Sequence, residues 1–203
     1  MKRIIIGISG ASGVLYGIRL LEVLHRYPDI ETHLVITDAA RDILRHETTW
    51  TIAEVEALAH KTYSLYDLSA PISSGSFATE GMIVAPCSVK SMSGIANSFS
   101  ENLLIRAADV TLKEGRTLVL LVRETPLHLG HLKSMVHLAE MGAVILPPVP
   151  AFYHHPKTVD DIILHTIGKV LDQFQIPHTL FDPWQGTSSA NEAKGKKRKA
   201  KGR

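Results

Sequence analysis

The chain has 203 residues, 45% hydrophobic and 21% charged, which suits one soluble globular domain with a substantial core. No apolar run approaches the roughly 20 residues of a membrane span, and the single cysteine, Cys87, excludes an intrachain disulfide framework. The formal charge of +2 is local: residues 187–203 hold seven of the 22 Lys and Arg and one of the 20 Asp and Glu, which leaves 15 basic against 19 acidic side chains elsewhere, a net of −4.

Met1-Lys2-Arg3 leads into only Ile4-Ile5-Ile6 before a glycine, too short for a signal-peptide core, so a cytoplasmic protein is expected. Residues 3–8 read as the first strand, and a Gly-rich turn then opens a helix over roughly 13–25. Residues 33–37 read as a second strand, with a helix from about Ala39. Thr51-Ile52-Ala53-Glu54 has the form of a capping box before a short helix. Residues 60–80, rich in Ser and Gly, read as irregular. The third strand, 81–85, ends at Pro86, and 102–113 is a helix. A fourth strand at 117–122 is followed by a helix over 126–141, and a fifth at 143–146 is cut off by Pro147-Pro148. The last helix, 159–174, has Thr158 as its N-cap and carries Val159, Ile162, Ile163, Ile167, Val170, Leu171 and Phe174 on one stripe.

No internal repeat is visible. Strand–helix alternation of this kind predicts an α/β fold, a doubly wound, Rossmann-like, mostly parallel sheet flanked by helices in a single domain over 1–186. Residues 187–203 form a basic tail whose run Lys194-Gly195-Lys196-Lys197-Arg198-Lys199 has no apolar residue, expected to be disordered and solubilising. No aromatic residues interleave its charges to stack on bases, so nucleic acid is not an expected partner.

The continuous apolar run 117–122 suggests a strand buried on both faces, and it ends in Arg123-Glu124-Thr125-Pro126. Ligands of open α/β sheets sit at the carboxyl ends of strands. Arg123 can hold a phosphate or carboxylate at two points and Glu124 can move protons, with Arg106 and Lys113 as further cations. The same residues also fit a helix-initiating turn with a surface ion pair. The first turn, Gly7-Ile8-Ser9-Gly10-Ala11-Ser12-Gly13, matches neither the dinucleotide fingerprint nor a P-loop. It fits an anion site at a helix N-terminus, with Ser9 and Ser12 as hydroxyl donors, or simply a tight strand–helix turn. Cys87, in Pro86-Cys87-Ser88-Val89-Lys90-Ser91, reads as a small buried hydrophobe rather than a catalytic thiol. His128, His131 and His154-His155 complete no recognisable metal triad, and no metal is expected. Tyr153, behind several prolines, can pack on a hydrocarbon and donate a hydrogen bond, and Lys169 would ordinarily snorkel to solvent.

Taken in order and spacing, these segments resemble the flavin prenyltransferases of the UbiX family. The resemblance covers about residues 2–186. It rests on the first turn, Ile72-Ser73-Ser74-Gly75-Ser76-Phe77, Pro86-Cys87-Ser88 and Arg106 through Glu114. Further matches are Leu121-Val122-Arg123-Glu124-Thr125-Pro126, Pro147 through Tyr153, and Trp184-Gln185-Gly186. It implies a metal-independent prenyltransferase that joins a dimethylallyl group from dimethylallyl monophosphate to N5 and C6 of reduced FMN. The product, prenylated FMN, serves UbiD-type decarboxylases in ubiquinone biosynthesis or aromatic acid decarboxylation. It also implies a homododecamer with the flavin between subunits.

Residue by residue, the resemblance places FMN on Gly10, Ala11, Ser12, Thr37, Ser88, Val89, Lys90, Ser91 and Arg123. It places the donor phosphate on Tyr153 and Lys169, with Arg106 and Lys113 contributing. Glu124 is the principal proton-transfer residue, assisted by Ser12 and Glu47. Thr37 stands where many relatives have serine, and Lys169 where many have arginine, so the charge is kept and the fork lost. The residue chemistry agrees: an allylic phosphate leaves readily when cations and hydroxyls stabilise its charge, beside a dry aromatic wall such as Phe152, Tyr153 and Trp184. The competing expectations are an FMN-dependent cysteine decarboxylase and a non-catalytic FMN carrier.

Overall fold

The computed structural model describes residues 1–184 and 186; the expected tail at 187–203 lies outside them. The strands are β1 (Lys2–Ile8), β2 (Ile30–Ile36), β3 (Lys61–Tyr63), β4 (Gly81–Cys87), β5 (Thr117–Val122) and β6 (Val144–Ile145). The helices are α1 (Val14–Leu24), α2 (Asp38–Glu47), α3 (Ile52–Ala57), α4 (Val89–Ala96), α5 (Leu103–Lys113), α6 (Leu129–Glu140) and α7 (Val159–Gln173), with a 3₁₀ turn at Pro71–Ser73. The sheet is parallel, in the order β3-β2-β1-β4-β5-β6. The order reverses between β1 and β4, so their carboxyl ends form a topological switch point, where such sheets open a ligand crevice.

Strand period accounts for the two layers. Ile4, Ile6 and Ile8 of β1, with Val119 and Leu121 of β5, pack against α1 and α7. Ile5 of β1, with Leu118, Leu120 and Val122 of β5, packs against α4 and α5. Truncating a fully buried residue such as Leu120 to alanine would cost about 2–5 kcal/mol, since little can collapse into the gap. At Gly17 of α1 an added Cβ would meet the Ala85 carbonyl oxygen at 2.5 Å, so the helix lies against the β4 backbone.

Three expectations change. The segment expected to be irregular, 60–80, contains β3, paired through His33↔Lys61 to the edge of β2, and the 3₁₀ turn. Three residues on an edge are too few to show a period. Residues 89–96, given no helix from the sequence, form α4, whose Ser91, Ser93 and Gly94 are weak helix formers. Burial of Met92 and Ile95 supplies what propensity lacks. The helix expected from Pro126 begins at Leu129, where the His128 Nδ1 accepts the Gly130 N–H at 3.0 Å. The capping box at Thr51 and the N-cap at Thr158 form as read, and Asp161 completes a box at Thr158 as well.

Candidate functional site

Three helices open around one cleft of about 370 Å³, and each N-terminus is capped by its own side chain. The Thr37 Oγ1 accepts the Ala40 N–H at 3.2 Å at α2. The Ser88 Oγ accepts the Ser91 N–H at 3.2 Å at α4. The Asn102 Oδ1 accepts the Ile105 N–H at 3.1 Å at α5. Gly10, Thr37, Ser88, Val89, Lys90 and Ser91 all line this cleft. Helix N-termini present amide donors and partial positive charge, so three beside Lys90 make a site for an anion. Two carboxylates stand on its wall: Asp38 accepts the Tyr66 hydroxyl, and Glu101 lies 3.2 Å from the Lys90 Nζ.

The first turn behaves differently from its expected role. Ser9 is wholly buried, its Oγ donating to the Pro86 carbonyl at 2.9 Å and accepting the Ser88 N–H at 2.7 Å. It is therefore a tie between two turns, and its expected role as an open hydroxyl donor is corrected. Gly13, at φ 95, caps α1 without a side chain, and the Glu47 Oε2 accepts its N–H at 2.8 Å instead. Ala11 is buried and Ser12 half-buried beside that contact, and neither lines the cleft.

At the end of β5 the Arg123 N–H donates to the Cys87 carbonyl at 3.0 Å. The Arg123 side chain is exposed and has no side-chain partner among the described residues. Glu124 is half-buried and its Oε1 accepts the Thr125 N–H at 2.9 Å, so no Arg123–Glu124 ion pair forms among the described residues. Cys87 is buried and its thiol is pushed up to about 12 by desolvation, as befits an inert side chain.

A second cavity, of about 640 Å³, holds Tyr153 and Lys169. The Lys169 Nζ lies 2.7 Å from the Asp172 Oδ2 and 5.7 Å above the Phe181 ring centroid. Burial works against the Asp172 carboxylate, but hydrogen bonds from Lys169 and His178 outweigh it and hold it below its ordinary range. Trp184 meets the Tyr153 ring edge-on at 5.8 Å. The Tyr153 hydroxyl is hydrogen-bonded to the His165 Nε2 at 2.8 Å.

Arg106 and Lys113 do not join this cavity. They sit on α5, whose core face lies on the opposite side of the sheet from α7. Arg106 bonds the Ser73 carbonyl and Asp109, and Lys113 pairs with Glu114. The expected convergence of four donor-binding groups is thus not made within one chain. Sequence reading also missed Asn102, Asp172, His165 and Phe181. Asn102 precedes an apolar helix and carries a cap signal; the others reach the site only through the fold.

A family model described as Flavoprotein matches residues 1–172. The flavin prenyltransferase UbiX of Escherichia coli K12 is 60% identical over 188 residues, covering 92% of this chain and all of that protein. The chain belongs to the UbiX family of flavin prenyltransferases. The UbiX of Thauera aromatica is 54% identical over 96% of this chain and all of its own. A UbiX crystallised with FMN and dimethylallyl pyrophosphate superposes with a TM-score of 0.90 at 43% identity, over 92% of this chain and 99% of that one. In this UbiX-family chain, the cleft ringed by helix N-termini fits the single phosphate of a flavin mononucleotide by its donor set. No group of three or more His, Cys, Asp and Glu suited to a metal occurs among the described residues. No described helix is long and apolar enough to cross a membrane.

Proposed function

We propose that this chain joins the dimethylallyl group of dimethylallyl monophosphate to N5 and C6 of reduced FMN, giving prenylated FMN for a UbiD-type decarboxylase. The observation that carries the reading is identity of 60% to a curated flavin prenyltransferase over that protein's whole length. Reduced FMN supplies the two nucleophilic ring positions. The N-termini of α2 and α4, with Lys90 and Ser91, hold its phosphate, and Arg123 and the first turn, Gly10 through Ser12, lie along the flavin. Tyr153 and Lys169 hold the donor phosphate and stabilise the charge that grows as the allylic C–O bond breaks. Trp184, Phe181 and Phe152 keep water from the allyl group. Glu124 moves protons, with Ser12 and Glu47 assisting.

A UbiX-like protein of Escherichia coli O157:H7, 48% identical with a TM-score of 0.89, covering 91% of this chain and all of its own, is described as dodecameric. The same assembly is assigned to this chain. It explains why Arg106 and Lys113 lie away from Tyr153: they serve the donor site of a neighbouring copy.

The test is mass spectrometry of flavin extracted after anaerobic incubation with reduced FMN and either dimethylallyl monophosphate or pyrophosphate. The expected product is heavier by one dimethylallyl group and forms from the monophosphate. Unmodified flavin with both donors overturns the reading.

A further inference from the structure

His165 does not line the donor cavity; it stands behind Tyr153, 7% exposed, its Nε2 at 2.8 Å from the phenol oxygen. Its ring is held on two sides. The His154 imidazole stacks on it at 4.6 Å and 6°, and the Phe181 ring lies against it at 4.5 Å. His165 sits one helical turn before Lys169 on α7, so the partner of Tyr153 and the cation rise from the same helix face.

A phenol has one proton and two acceptor lone pairs, and a phosphate monoester offers only acceptors to Tyr153 and Lys169. If the Tyr153 hydroxyl spends its proton on His165, it meets the phosphate with a lone pair, which repels. If the His165 Nε2 carries the proton and donates to the phenol oxygen, the Tyr153 O–H is turned toward the phosphate. The two bonds then run in one direction and polarise each other. Burial, then the nearby His154 and Lys169, hold His165 below the ordinary imidazole range against the pull of Asp172, so the ring is neutral and has one proton to place.

We infer that His165 is the positioning residue of the donor site: its Nε2–H donates to the Tyr153 oxygen and so commits the phenolic proton to the donor phosphate. The inference rests on the donor-binding role proposed above for Tyr153. It requires an N–H at that reach, not an imidazole as such, so an amide can replace it and a hydrocarbon cannot.

The experiment uses the full-length protein loaded with FMN and dimethylallyl monophosphate as the probe. Calorimetry gives donor affinity, and single-turnover prenylation gives the half-saturating donor concentration and the maximal rate. His165→Leu is expected to weaken donor binding about three- to tenfold, the range of one net hydrogen bond, and to lower the maximal rate as well, because the same bond faces the charge that grows on the leaving phosphate, with FMN affinity little changed. His165→Gln is expected to restore most of that loss. In a Tyr153→Phe background, His165→Leu is expected to add almost nothing, because its target oxygen is gone. Full additivity of the two changes, or no rescue by Gln, overturns the inference. So does an unchanged donor affinity in His165→Leu. Should His165→Leu not fold, His165→Gln and Tyr153→Phe/His165→Gln carry the same cycle: wild-type-like donor affinity in the first and no added loss in the second support it, and a Gln variant as weak as Tyr153→Phe overturns it. Wild-type protein that binds the donor but forms no prenylated flavin overturns the functional reading alone, while the binding cycle still decides the role of His165. Failure to bind the donor at all overturns both.

Discussion

The buried Ser9 hydroxyl accepts the Ser88 N–H at 2.7 Å and donates to the Pro86 carbonyl at 2.9 Å, so a single side chain locks the turn after β1 to the turn after β4. These two turns flank the switch point of the sheet, and Ser88 caps one of the helices that open on the cleft proposed for the flavin. Ser9→Ala removes the acceptor and leaves the Ser88 N–H without its partner, whereas the Pro86 carbonyl keeps the Ser9 N–H at 3.2 Å. The expected cost is about 1–3 kcal/mol of stability, the penalty of an unpaired buried donor. FMN affinity should fall with it, because the Ser88 cap is no longer anchored. Urea unfolding and FMN titration measure both, and unchanged values in the variant would remove this role from Ser9.

The same tie shows what the chain alone tells a reader. A turn of Gly, Ala and Ser announces closeness of backbone, but not which hydroxyl points inward, and Ser9 rather than Ser12 is the one consumed. The runs at 4–6 and 118–122 are legible because both faces of those strands are buried, which makes every position apolar. The edge strand β3 is not, since three residues carry no usable period. Thr51 and Thr158 are legible as caps because an acidic residue follows three positions later in each. Arg106 and Lys113, grouped with Lys169 by the family resemblance, lie apart from it within one chain, and charge along a chain does not say which face of the sheet a helix covers. Family likeness groups them correctly only if a second copy is present.

Cys87 should be silent to thiol reagents in the folded protein. It is fully buried in the β4 strand and its thiol is pushed up to about 12 by desolvation, so thiolate is scarce at any ordinary pH. Alkylation with iodoacetamide at pH 8 is expected to be far slower in the native protein than in urea, and to follow unfolding. Rapid native labelling would show that the strand opens at this end.

His33 should make stability depend on pH. It is 2% exposed in β2, with Nδ1 at 2.9 Å from the Tyr63 hydroxyl and Nε2 at 3.4 Å from a Glu31 carboxylate oxygen. Burial, aided by Arg3, His60 and Lys61 and opposed by Glu31, lowers its pKa from 6.5. The unfolded chain therefore binds this proton more readily than the folded one. The contribution of His33 is fully present above about pH 6.5 and is lost as the pH falls through its lowered folded value. His165, lowered for similar reasons, acts in the same direction. Thermal unfolding between pH 5 and 8 should show a steeper loss on acidification for the wild type than for His33→Gln. Parallel profiles would mean that His33 stays neutral throughout.

Lys169 and Asp172 should move donor affinity in opposite directions. The Lys169 ammonium lies 2.7 Å from the Asp172 carboxylate, on the wall of the cavity proposed for the donor phosphate. A phosphate arriving there competes with Asp172 for the same cation. Lys169→Ala removes that cation and leaves Asp172 facing the phosphate with only His178, 3.1 Å away, to offset it. Loss of a charge-assisted contact is worth about 1.5–3 kcal/mol, or roughly 10- to 100-fold in donor affinity. Asp172→Asn keeps the shape, removes the competitor and frees Lys169, so donor affinity should rise by a few-fold. FMN affinity should hardly change in either variant, since neither residue lines the cleft proposed for the flavin. The measurement is calorimetric titration of dimethylallyl monophosphate into FMN-loaded protein. If both substitutions weaken the donor equally, the pair acts as a structural clasp of α7 and Lys169 does not hold the phosphate.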